Sequence, residues 1–204
     1  MALRSVSRRL GTKLFPALSS TSRLLHSHAT SFGFKHVNEE DKARMVGDVF
    51  TSVASSYDLM NDLMSAGLHR LWKDRLVSKL NPFPGMKHLD VAGGTVGEVL
   101  VHQLIDILSV WVLKPGGRFL CLELSHVGIP IFKDLYDYYS FSVIPYMGEL
   151  VAGDRESYQY LVESIRRFPS QEKFASMIAN AGFQKVEYEN LVGGVVAVHS
   201  GLKI

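Results

Sequence analysis

At 204 residues and 47% hydrophobic content, the chain supports one domain with a sizeable core and leaves little room for two. Its one cysteine, Cys121, excludes an internal disulfide and a cysteine-based zinc site; the longest apolar run, 99–113, is interrupted by His102 and Asp106 and is too short to span a bilayer. The formal charge of +2 conceals a polarity along the chain: Arg4, Arg8, Arg9, Lys13, Arg23 and Lys35 all precede Glu39, the first acid, which leaves 16 cations against 20 acids, about −4, in the remainder.

Residues 1–30 are rich in arginine and serine, free of acid, and lack the long apolar core of a secretory signal. That is the composition of a mitochondrial transit peptide, although a basic tail that touches anionic lipid reads the same way. The folded domain is expected over residues 31–204, and no nucleic-acid partner is expected.

Asn38 followed by Glu39, Glu40 and Asp41 marks a helix start, with a capping side chain and carboxylates that oppose the helix dipole. Val46, Val49, Phe50 and Val53 then recur at helical spacing. Leu68, Leu71, Trp72, Leu76 and Leu80 predict a second helix, ended by Asn81-Pro82-Phe83-Pro84-Gly85. Between them Tyr57-Asp58-Leu59-Met60-Asn61-Asp62 is polar and aromatic at once, so two helices are expected ahead of the first strand, His88-Leu89-Asp90-Val91-Ala92.

That strand runs into a glycine turn, Gly93-Gly94-Thr95-Val96-Gly97, and then an apolar helix, the arrangement by which α/β proteins set bare backbone N–H groups beneath an anionic ligand. This is the expected ligand site. Val99, Leu100, Gln103, Leu104, Ile107, Leu108 and Trp111 mark one face of the helix, while Val101, Ile105, Val110 and Val112 make the other apolar too, so burial on several sides is expected. Lys114-Pro115-Gly116-Gly117 ends it. Arg118 to Leu124 reads as a buried strand that contains Cys121 and carries Glu123 near its carboxyl end, completing one right-handed βαβ unit.

From Pro130 to Arg167 the pattern is helical and aromatic, with six of the eight tyrosines between Tyr136 and Tyr160. Ser170 caps a further helix carrying Phe174, Met177 and Ile178, which stops at Gly182. Phe183 to Leu191 and Val195 to Ile204 then form an antiparallel pair around Gly193-Gly194. His88, His126 and His199 stand as isolated surface or strand residues without metal-ligand spacing.

Several segments carry a family resemblance. They are Phe50-Thr51-Ser52-Val53-Ala54-Ser55-Ser56-Tyr57-Asp58-Leu59-Met60-Asn61-Asp62-Leu63-Met64-Ser65, Gly67-Leu68-His69-Arg70-Leu71-Trp72-Lys73, Leu89-Asp90-Val91-Ala92-Gly93-Gly94-Thr95, Val112-Leu113-Lys114-Pro115-Gly116-Gly117-Arg118 and Asp154-Arg155-Glu156-Ser157-Tyr158-Gln159-Tyr160-Leu161. Together with Glu187-Tyr188-Glu189-Asn190-Leu191-Val192-Gly193-Gly194-Val195-Val196-Ala197 they span most of the chain beyond residue 34. The chain resembles the S-adenosylmethionine-dependent C-methyltransferases of ubiquinone and menaquinone biosynthesis.

The resemblance implies an α/β fold, the Rossmann-like class I S-adenosylmethionine methyltransferase, with an N-terminal helical cap. It implies S-adenosyl-L-methionine as cofactor and a polyprenyl benzoquinol as substrate. It further implies other quinone-biosynthesis proteins as partners and peripheral contact with the matrix side of the mitochondrial inner membrane. Asp90, Gly93, Gly94 and Thr95 are the cofactor-binding candidates; Tyr57, Asp58, Asn61 and Arg70, with His69 beside them, are the catalytic candidates on the cap. No metal is needed.

Two departures stand against this. Val96 intrudes where the family has glycine directly after Gly-Gly-Thr, and a residue with Cβ suits a close-approach position poorly. The acid expected about 20 residues past the glycines to hold the ribose falls on Leu113-Lys114-Pro115-Gly116. Strands are therefore expected to be missing between about 98 and 110, leaving a truncated sheet. A catalytically inactive truncated isoform that acts as an interaction partner is the alternative, and a nicotinamide oxidoreductase is weaker because G-x-G-x-x-G is absent.

Overall fold

The computed structural model describes residues 29–84, 105 and 113–204. A hairpin comes first, β1 (Ala29–Phe32) and β2 (Lys35–Asn38), antiparallel with Ala29 opposite Asn38 and Phe32 opposite Lys35. β1 thus takes in Ala29 and Thr30, which composition assigned to the leader. Distant partners hold it: the Phe32 ring stacks on Tyr160 with centroids 3.7 Å apart, and the Phe34 N–H donates to Glu163 Oε2 at 2.8 Å. Gly33 turns the chain at φ +54, and a Cβ there would run into Glu163.

Three helices follow, α1 (Glu39–Val53), α2 (Tyr57–Ser65) and α3 (Leu68–Leu80), with a 3₁₀ turn at Ala54–Ser56. This corrects the expectation of two helices ahead of the first strand: a hairpin and a third helix are present. α2 escapes periodicity because its contact with the core is made by Met60, 1% exposed, and Met64, within an otherwise polar and aromatic run. Asn38 occupies the N-cap position of α1 in extended backbone, yet its side chain makes no capping bond; the acids of the first turn alone oppose the dipole. Ala66 and Gly67, both at positive φ, turn α2 sharply into α3.

β3 (Arg118–Leu124), β4 (Gln184–Leu191) and β5 (Val196–Leu202) form a sheet in the order β3-β5-β4, antiparallel throughout. Arg118 lies opposite Leu202 and Leu124 opposite Val196, while β4 carries a bulge between Gln184 and Glu187. Strand alternation sends Phe119 and Cys121 to one face, against α7 (Gln171–Asn180), where Ile105, Phe174, Met177, Ile178 and Phe183 close a core. Leu122, Leu124 and Val196 take the other face, with Trp72 of α3 and Val127. Each fully buried side chain of this size contributes about 1.5–3 kcal/mol. Ile105 is helical and buried, as expected of it, but the strand and helix of the expected βαβ unit otherwise lie outside the described residues.

Between the sheet's first and last strands run α4 (Pro130–Tyr138), α5 (Ile144–Met147) and α6 (Arg155–Arg167). Tyr139–Val143 and Gly148–Ala152 are π-helical turns on either side of α5. Val53, Met60, Ile144, Tyr158 and Val162 make a second core that joins this helical run to α1 and α2. Asp154 caps α6 through the Ser157 N–H at 2.9 Å and accepts the Ser52 hydroxyl of α1 at 2.5 Å. Ser170 caps α7 as expected, accepting the Lys173 N–H. Among the described residues no helix is long and apolar enough to cross a membrane.

Candidate functional site

The four catalytic candidates lie on α2 and α3. Tyr57 opens α2 and is exposed, as is Asp58; Asn61 is half-buried, its backbone carbonyl accepting the Ser65 hydroxyl at 2.6 Å. Arg70, on the first turn of α3, meets neither Tyr57 nor Asn61. Its Nε and Nη2 donate to the two carboxylate oxygens of Asp62 at 3.0 and 2.7 Å, and His69 Nε2 reaches the same carboxylate at 2.8 Å. The corner at Ala66-Gly67 makes this possible, because it folds the start of α3 back beside α2. Asp62 stands eight residues from Arg70, a spacing that no single helix would bring together.

The bonds from Arg70 and then His69 hold the Asp62 carboxyl far below the usual carboxylate range, and the bond to Asp62 with its charge, and the charge of Asp58, raise Arg70. An ionised carboxylate only accepts, so Nε2 of His69 carries the hydrogen and Nδ1 presents a lone pair, a tautomer assigned from the network. Nδ1 is buried and has no hydrogen-bond partner among the described residues. An imidazole oriented by a carboxylate is the arrangement of a general base, which here requires the side chains covering Nδ1 to open before a bound hydroxyl can reach it.

The tyrosine-rich run divides by place. Tyr158 and Tyr160 are core residues; burial raises the Tyr158 phenol, and the charges of Asp154 and Tyr57 add to this, so Tyr57 lies near it. Tyr139 donates its hydroxyl to the Met64 carbonyl at 3.0 Å and ties the first π turn to α2. Arg166 sits over the Tyr136 ring at 5.4 Å and pairs with Asp137. Tyr138 and Tyr146 are exposed.

The carboxyl end of β3 supplies a second cluster. Glu123 is half-buried opposite Ala197, and burial pushes its carboxyl up to about 7. The Ser125 hydroxyl just beyond it is buried without a hydrogen-bond partner among the described residues. The sequence shows Glu123 only as an acid near the end of a strand; its desolvation arises in the assembled sheet, beside Ala197, which no local pattern displays. His199, read as an isolated surface or strand residue, is buried in β5, bonded through Nε2 to the Gln171 carbonyl at 3.0 Å, and burial lowers its pKa. The cofactor-binding candidates Asp90, Gly93, Gly94 and Thr95 lie outside the described residues, as does Val96.

The family model described as the ubiE/COQ5 methyltransferase family matches residues 35–108 and, separately, 102–203. A rice protein (Oryza sativa subsp. japonica) named "2-methoxy-6-polyprenyl-1,4-benzoquinol methylase, mitochondrial" is 52% identical over 295 residues, covering 100% of both chains. Against the 204 residues here, that alignment leaves 91 positions with no residue in this chain. An Arabidopsis thaliana protein of the same name is 51% identical over 290 residues, again covering 100% of both. The "Ubiquinone/menaquinone biosynthesis C-methyltransferase UbiE" of Cereibacter sphaeroides is 42% identical over 245 residues, 87% of this chain and 98% of that one. With the family's pattern running in two pieces from residue 35 to residue 203, the chain belongs to the ubiE/COQ5 methyltransferase family, and it lacks an internal segment that its relatives possess.

Proposed function

We propose that the chain methylates a ring carbon of a 2-methoxy-6-polyprenyl-1,4-benzoquinol in ubiquinone biosynthesis, in the mitochondrial matrix beside the inner membrane. The observation that carries this is 52% identity, over the full length of both chains, to a rice protein of that name. S-adenosylmethionine supplies, when bound, the electrophilic methyl group. Asp90, Gly93, Gly94 and Thr95 would hold it, glycine N–H groups and a threonine hydroxyl being donors of the kind a carboxylate needs.

A ring carbon becomes nucleophilic when the neighbouring hydroxyl loses its proton, so the chain must supply a base, orientation and shelter from water. His69 is the base this geometry favours, with Asp62 fixing its tautomer and Arg70 holding Asp62 in place. Tyr57, Asp58 and Asn61 line the same cap and orient the quinol. Other quinone-biosynthesis proteins and the membrane surface are the partners expected of a chain with a polyprenyl substrate.

A second reading rests on a specific observation. The two matches to the family meet at residues 102–108, and 91 aligned positions are missing. We place the junction between about 98 and 110, where the ribose-holding acid would be lost, giving an inactive chain that serves as an interaction partner. Incubation of the full chain with methyl-labelled S-adenosylmethionine and the demethylated quinol separates the two. Label in the quinol ring supports the enzyme, and its loss in His69→Gln supports the base; no label from a folded sample supports the inactive reading.

A further inference from the structure

At the end of the sheet away from Glu123, the start of β3, the close of β5 and the bulge of β4 surround a cavity of about 250 Å³. Three cations line it, Lys79 from the last turn of α3, Arg118 and Lys185, against one carboxylate, Glu187. Ser200 adds a hydroxyl, and Leu120 and Leu202 form an apolar wall.

The cations are placed by distinct devices. Arg118 Nη1 donates to the Lys79 carbonyl at 2.7 Å, which fixes the guanidinium at the C-terminus of α3 and uses one of its five donors. Lys79 is already drawn to Glu189 at 3.1 Å, a carboxylate it shares with Arg75. Lys185 has no ion-pair partner among the described residues, and it stands at φ +49 in the β4 bulge, a left-handed conformation that a long side chain adopts at a cost. Bulges re-aim side chains, and this one delivers an ammonium to the cavity.

We propose that this cavity binds a phosphate group, as free phosphate or as the ester of a lipid headgroup. A tetrahedral oxyanion matches a fixed guanidinium with two ammonium groups, and the apolar wall accommodates the carbon side of an ester. The cavity lies about 20 Å along β3 from the end that carries Glu123.

The test uses the full chain and two probes, inorganic phosphate by calorimetry and flotation with phosphatidylcholine vesicles with and without cardiolipin. Lys185→Gln and Arg118→Gln are compared with Lys73→Gln, an exposed cation of α3 outside the cavity. Saturable binding of either probe, weakened about tenfold by Lys185→Gln and by Arg118→Gln but not by Lys73→Gln, is the expected result. Phosphate binding identifies a soluble ligand; vesicle binding that needs cardiolipin, without phosphate binding, identifies a lipid headgroup. No binding of either probe overturns the proposal. So does binding that Lys185→Gln leaves unchanged while circular dichroism shows an intact fold, which would assign vesicle contact to other basic residues.

Discussion

In the C-terminal sheet and the helix α7 against it Ile178, Val196, Ala197 and Val198 are at most 1% exposed, whereas on the N-terminal helices and the loop after them Leu59, Leu71 and Phe83 are 55, 62 and 64% exposed. One face of the sheet closes its core from residues 113–204 with Ile105, and the other takes in Trp72 of α3. α3 has no fully buried residue, and neither does α4, although both carry apolar side chains at helical spacing. Unpartnered apolar surface of this kind marks an interface.

Removal of a core ring should show the contrast most strongly. Phe174→Ala is expected to cost about 3–5 kcal/mol in urea unfolding, while Leu71→Ala stays within about 0.5 kcal/mol. Equal losses would break the comparison.

Glu123 gives the next largest effect. Its folded carboxyl titrates at about 7 against an ordinary 4.5, so the folded state holds its proton more tightly than the unfolded chain. Stability is therefore full below 4.5 and falls as pH rises through 7, by about 3 kcal/mol at pH 8, and Glu123→Gln should recover most of that loss. His199 works in the opposite direction: burial lowers its folded pKa, so its contribution is present above 6.5 and is lost as pH falls. Melting temperatures across pH should thus decline on both sides in the native chain and only on the acid side in Glu123→Gln. A basic-side decline that survives the substitution would remove Glu123 from the explanation.

Asp154→Ala takes away the cap of α6 and its tie to Ser52, for about 1–2 kcal/mol in the same unfolding assay. Asp62→Asn should be the mildest. Its partners are exposed or half-buried, so melting hardly moves, but His69 loses its orienting charge and its ¹⁵N shifts should report a changed tautomer. Unchanged ¹⁵N shifts would deny Asp62 its positioning role.

What the sequence displayed and what it hid follow the same division. β3, the Ser170 cap and the β4–β5 pair rest on local signals: an apolar run, a hydroxyl before a helix, glycines between strands. The first hairpin is hidden, because a short strand pair is fixed by Tyr160 and Glu163 more than a hundred residues away. α2 is hidden because two methionines make its contact. The site was legible as a list of residue types, Tyr57, Asp58, Asn61 and Arg70, but not as a network, since Asp62 joins His69 and Arg70 only after the Ala66-Gly67 corner is made. The burial of Glu123 was likewise invisible, being a property of the assembled sheet.

Calorimetric titration of the full chain with S-adenosylmethionine addresses most directly whether the shortened chain is still a methyltransferase. Saturable binding in the micromolar range is the expected result. A folded sample that gives no heat, and that gains binding once the relatives' missing positions are inserted, would contradict it and assign the loss to the absent segment.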